Sequence, residues 1–159
     1  MGTGETAHCS TQGSLLQMHS QPQTNDFSDV FKSGRWADVQ RFSLYPSLRP
    51  LVEQIPTVCL ASRAENTQRQ YRYVFNAFCK WCLFNNIVDT LPASQVVVST
   101  YLIHLSNSDK STSTINEAYY TISWAHKLAG VQNPCVSDLV LSVKEGSVRS
   151  VGHRVVKIL

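Results

Sequence analysis

Apolar residues recur at three- and four-residue steps through most of the chain after residue 48, with polar residues filling the positions between. The strongest such run is Asn66 to Asn85, NTQRQYRYVFNAFCKWCLFN. Tyr71, Val74, Phe75, Phe78, Trp81 and Cys82 share one face of a helix, and Arg69, Arg72, Asn76 and Lys80 share another. Asn66 or Thr67 is expected to cap its start. A core helix is expected over Arg49–Ala61, with Leu51, Val52, Ile55, Cys59 and Leu60 inward. Pro56 either kinks it or opens a new helix. Leu91-Pro92-Ala93-Ser94 opens the next, whose apolar face is Val97, Val98, Tyr101, Leu102 and Leu105. Thr114 to Glu117 has capping-box spacing ahead of the stripe Ile115, Ala118, Tyr119, Ile122, Ala125 and Ala129, which Gly130 ends. A last helix is expected over Ser137–Glu145, with Val136, Leu139, Val140 and Val143 inward and Gly146 as its stop. No segment alternates as a strand, so the fold class is all-α, with four or five helices around one core.

Outside that core the pattern fades. Residues 1–28 are rich in Ser, Thr, Gln and Gly and bury too little to offset their ordering entropy, so disorder is expected. Phe31, Trp36, Val39, Phe42 and Leu44 fit a short, weak helix, either packed on the domain or free of it. The division is therefore a disordered or weakly structured tail over 1–47, a helical domain over 48–146 and a linker over 147–159.

Charge sharpens this division. Net charge is +3 overall, but the cations concentrate after residue 48: residues 1–48 carry a net −1 and residues 49–159 a net +4. A moderately basic folded part is compatible with nucleic-acid binding without requiring it. Five cysteines, an odd number, with no apolar run after Met1, argue against a signal peptide and a disulfide framework and point to a reducing compartment. No window approaches the length of a membrane span, and nuclear or other intracellular residence is expected.

Few residues offer catalytic chemistry. Cys79 and Cys82 have the spacing of a metal or redox pair, but they lie mid-helix without a second ligand pair, which favours two buried thiols. His104 and His126 each adjoin an apolar face, the usual setting of a hydrogen-bonded core or edge histidine. No phosphate loop, HExxH or GxSxG occurs. The basic stripe Arg69, Arg72, Lys80 carries more information, because Gln68, Gln70, Tyr73 and Asn76 interleave with it. The run Ser111 to Thr114 adds a hydroxyl-rich helix N-terminus of the kind that suits a phosphate.

The run S-x-x-x-N-T-x-x-x-Y-x-x-x-F-x-x-F-x-x-W-C, Ser62 to Cys82, resembles the N-terminal core-binding domain of tyrosine recombinases, the phage-integrase family, in its eukaryotic mobile-element form. Leu91-Pro92-Ala93-Ser94 with Tyr101-Leu102 is similar to that domain's next helix. Ser113-Thr114-Ile115, Ile122, His126 and Ala129-Gly130 are similar to the one after it, and Asn133-Pro134 with Gly146 and Arg149 to its exit segment. The resemblance covers about residues 48–159 and implies a SAM-like orthogonal bundle that forms half of a clamp on duplex DNA. It assigns Thr67, Arg69, Arg72, Asn76 and Lys80 to DNA from one helix, and Ser111, Thr112, Ser113, Asn116, Ser123 and Lys127 from another. Arg149, Arg154 and Lys157 fall on the linker to the family's catalytic domain.

That domain carries the family's chemistry, and the chain ends at Leu159, where it would begin. No strand cleavage is therefore expected. The leading expectation is a DNA-binding module whose partners are double-stranded DNA and other recombinase-like chains. The rival is a helical protein-interaction or oligomerisation module derived from a mobile element. Neither reading calls for a cofactor, a metal, a membrane or a small-molecule substrate.

Overall fold

The computed structural model describes residues 26–32 and 34–158, with side chains described to Arg154. Among the described residues there are seven α-helices and no strand. They are α1 (Trp36–Phe42), α2 (Arg49–Val52), α3 (Ile55–Leu60), α4 (Glu65–Phe84), α5 (Gln95–Asn107), α6 (Thr112–Ala129) and α7 (Asp138–Ile158). Two 3-10 helices, η1 (Phe27–Lys32) and η2 (Pro134–Val136), complete the order. No helix among the described residues is long and apolar enough to cross a membrane.

The bundle is built around α6, which packs against α4, α5, α7, η1 and η2. Its buried residues are Ile115, Ala118, Thr121, Ile122, Trp124, Ala125, His126 and Ala129, a band wider than a single stripe. Alanine at 118, 125 and 129 leaves room for neighbouring helices to approach closely. Ser111 caps its start by accepting the Thr114 N–H at 3.2 Å, and Gly130, at φ 70°, ends it in the left-handed region. The cap therefore lies one turn before the expected Thr114–Glu117 box. On α4 the expected face is buried: Phe75, Phe78, Cys79 and Cys82 are fully enclosed, and Tyr71, Val74 and Trp81 pack beside them. The helix begins at Glu65 with Ala64 as its N-cap, so neither Asn66 nor Thr67 caps it.

His126 fastens this core. Its Nδ1–H donates to the Ile122 carbonyl at 2.7 Å, and its Nε2 accepts the Ala93 N–H at 2.9 Å. The partners fix the tautomer, since a carbonyl needs a donor and an N–H an acceptor. Burial pushes its pKa below the usual 6.5, keeping the ring neutral.

Three expectations are corrected. The first concerns the tail, whose residues 1–25 lie outside the described residues. Phe27, Val30 and Trp36 are buried, so the body of the domain includes this stretch before residue 48. The Phe27 ring stacks on Trp124 at 5.4 Å between centroids and meets Phe75 edge-on at 6.2 Å. Three carbonyls of the last turn of α6 are satisfied from the same stretch. Arg35 donates to Lys127 at 2.9 Å from its guanidinium and to Ala129 at 3.2 Å from its backbone, and the Trp36 indole donates to Leu128 at 3.0 Å. The fit is close enough that a Cβ on Gly34, at φ 56°, would lie 2.3 Å from the Ala129 carbonyl oxygen. Polar composition hid this segment because a few large aromatics, rather than a periodic stripe, anchor it.

The second correction concerns the core role of 49–61. Pro56 opens a new helix, one of the two expected outcomes, so the stretch forms two short helices, each with proline in its first turn, but little of it is core. Val52, Pro56, Cys59 and Leu60 are half-buried, while Leu51 and Ile55 face water. Third, Gly146 does not end the last helix. α7 continues to Ile158 because Val140, Ser147 and Val151 line one stripe against the bundle, and that burial outweighs the roughly 1 kcal/mol cost of a mid-helix glycine. Val136 and Leu139, expected inward, are exposed.

Candidate nucleic-acid interface

Successive α-helical residues rotate by about 100°, so Arg69, Arg72, Asn76 and Lys80 form one stripe on α4, away from the buried aromatics. Thr67, two residues before Arg69, points to the opposite, core-facing side and is half-buried, so it does not join the stripe. Arg69, Arg72 and Lys80 are exposed, as is Tyr73 beside them. Arg69 lies 3.6 Å from Glu65, but both side chains are at least 75% exposed, and such a pair contributes little.

Two members of the stripe are engaged by the N-terminal segment. The Asn76 side-chain oxygen accepts the Phe27 N–H at 2.8 Å, and the Arg72 guanidinium lies over the Phe27 ring, 5.2 Å from its centroid. Asp26, Phe27, Ser28 and Phe31 form a cleft of about 340 Å³ with Arg72 and Asn76. Because Phe27 also stacks on Trp124, η1 lies in the valley between α4 and α6. It divides the expected surface into an α4 edge and an α6 face.

On α6, Asn116, Tyr120, Ser123 and Lys127 recur at three- and four-residue steps on the side away from Ile115, Ala118 and Ile122. Lys127 and Ser113 are exposed and Thr112 is half-buried. Ser111 spends its hydroxyl on its own helix, at 3.2 Å from the Thr114 N–H and 3.0 Å from the Thr114 hydroxyl. Ser123 accepts a hydrogen bond from Asn133 at 2.9 Å. Asn116 lies beside α7, where Lys144, Glu145, Val148 and Arg149 complete a shallow cleft of about 360 Å³. The Lys144 ammonium sits 4.8 Å from the Tyr119 ring centroid and 5.1 Å from that of Tyr120. A helix that stops at Glu145 gives no reason to group Lys144 with Arg149, whereas the continuous α7 carries both. Arg154 donates to the Ser106 carbonyl and so ties α7 to the end of α5. The side chain of Lys157 lies outside the described residues.

Cys79, Cys82 and Cys135 are enclosed, while Cys59 is half-buried. Burial raises the Cys79, Cys82 and Cys135 pKa values to about 12, leaving them protonated and poorly nucleophilic at neutral pH. No group of three or more His, Cys, Asp or Glu among the described residues is arranged to hold a metal ion. No protein-family model matches the chain, and no curated protein matches it.

Proposed function

We propose that this chain is a duplex-DNA-binding module of the kind that forms the core-binding part of a tyrosine recombinase. In this reading the cationic edge of α4 and the polar face of α6 lie along the phosphate backbone. One observation carries it: Arg69, Arg72 and Lys80 project into solvent from a helix whose opposite face is locked into the core. Cations fixed on a rigid rod meet phosphates with little further ordering, and phosphate contacts position a protein without specifying sequence. Lys144 and Arg149, beside Asn116, extend the positive surface. Asp26 in the cleft with Arg72 opposes it, so Arg69 and Lys80 carry most of the attraction on α4. Affinity is weak and steeply salt-dependent, because few cations are present. Nuclear or other intracellular residence belongs to the same reading.

The test is fluorescence anisotropy of a labelled duplex at low salt with Arg69→Glu/Lys80→Glu. Both side chains are exposed and the new Glu65/Glu69 pair costs only about 0.2–0.5 kcal/mol, so the fold is expected to hold, which a circular dichroism spectrum checks, whereas Arg72→Glu would also disturb Phe27. Affinity is expected to fall by at least about tenfold. Equal affinity of the variant and the parent would end the reading.

A further inference from the structure

The rings of α4 divide into two sets. Tyr71, Phe75, Phe78 and Trp81 each pack against another ring in the bundle. Tyr73 and Phe84 instead face water, at 72 and 87% exposed. At about 100° per residue, Arg69, Lys80, Tyr73 and Phe84 fall within about 60° of one another, so cations and rings share one outward face. Along it they alternate as Arg69, Tyr73, Lys80 and Phe84, at steps of four, seven and four residues. Tyr73 and Phe84 stand about 16 Å apart along the axis, with Lys80 between them. Leu83, 57% exposed, borders the end of this face. Glu65, beside Arg69 at the start of the helix, is the only acid on α4.

A duplex accounts for the cations and leaves the rings unused. Its bases are stacked inside the helix and offer only their edges in the grooves, and an apolar ring held against phosphates finds no partner. A strand with unpaired bases offers base faces as well as phosphates, and those faces stack on aromatic side chains whatever the sequence. We propose, resting on the DNA-binding reading, that this face of α4 holds DNA whose bases are unpaired. Arg69 and Lys80 take the phosphates, while one base stacks on Tyr73 and another on Phe84. Charge complementarity selects this occupant. An apolar partner would strip water from Arg69 and Lys80 without returning a charge, whereas a strand supplies an anion to each cation and a flat apolar surface to each ring. The helix fixes the spacing of all four groups before binding. Paired DNA uses the same cations through its phosphates alone, so stacking is what separates the two forms.

Fluorescence anisotropy of the full chain with labelled oligo-dT, and with a blunt duplex of the same length at the same low salt, tests it. The parent is expected to bind both. Tyr73→Ala and Phe84→Ala should each weaken oligo-dT binding at least about fivefold while changing duplex affinity less than about twofold. Tyr73→Phe should keep the affinity for oligo-dT and Tyr73→Leu should lose it, which separates stacking from general apolar contact. Because both side chains are exposed, an unchanged urea midpoint and circular dichroism spectrum will separate lost binding from lost fold. A parent that binds the duplex but not oligo-dT, equal losses on the two forms in Tyr73→Ala, or full binding by Tyr73→Leu would each overturn the proposal and leave the duplex reading standing. Tighter binding to oligo-U than to oligo-dT would overturn the choice of DNA. A parent that binds neither form would overturn both.

Discussion

The α4 helix and the rod formed by α2 and α3 carry apolar residues at the same helical period and meet opposite fates. On α4 the stripe is single, aromatic and closed over by α6, η1 and α5. On the rod there are two stripes, and the one with the larger residues faces solvent. Periodicity reports which residues share a face. Whether that face is covered depends on partners elsewhere in the chain, and for the rod the bundle covers only the narrower side.

The largest expected effect separates these regions directly. Phe78→Ala should lower stability in urea denaturation by about 3–5 kcal/mol, since the ring is fully enclosed between Phe75 and Tyr101. Leu51→Ala should change it by less than about 0.5 kcal/mol. Similar losses at the two sites would mean that the rod is packed after all.

Two glycines extend the contrast with opposite signs. Gly34→Ala should destabilise by about 1–3 kcal/mol, because φ is positive and the new Cβ would meet the Ala129 carbonyl at 2.3 Å. Gly146→Ala should stabilise by about 0.5–1 kcal/mol, because the site is helical with nothing within 4 Å. A neutral Gly34→Ala would show that the N-terminal segment does not dock as described.

A smaller effect comes from His126. Its folded pKa lies below the unfolded value near 6.5, so the unfolded chain takes up the proton first as pH falls. Its contribution to stability is complete above about pH 6.5 and is lost as pH drops from there towards the folded value. Urea midpoints should therefore fall between pH 7.5 and 5.5, and the slope should flatten in His126→Gln. The smallest effect is Arg72→Ala, which removes a cation from the Phe27 ring and should cost roughly 0.5–1 kcal/mol.

Much of the fold was legible because α4, α5 and α6 are long and strongly periodic. Their termini were less so: Ser111 outcompeted Thr114 as a cap, one turn earlier. Of the N-terminal segment, the short helix that carries Trp36 follows from spacing, whereas the docking of Phe27 and Val30 does not, because they act as isolated anchors, a pattern without a period. Gly146 misled because local propensity favours a stop there, whereas Val148 and Val151 continue to find partners on the bundle. Of the site, the exposure of Arg69, Lys80 and Lys127 relative to the core faces follows from helical spacing. The engagement of Arg72 and Asn76 by Phe27 depends on a contact 49 residues away in sequence, which no spacing rule reports.

The central claim, that the outward cations of α4 neutralise phosphates, is tested most directly by the salt dependence of duplex binding. Each phosphate contact contributes about 0.9 to the slope of log affinity against log salt. Arg69→Gln and Lys80→Gln should each lower the slope by close to that amount while leaving the urea midpoint unchanged. A slope that is identical in the parent and both variants would contradict the account.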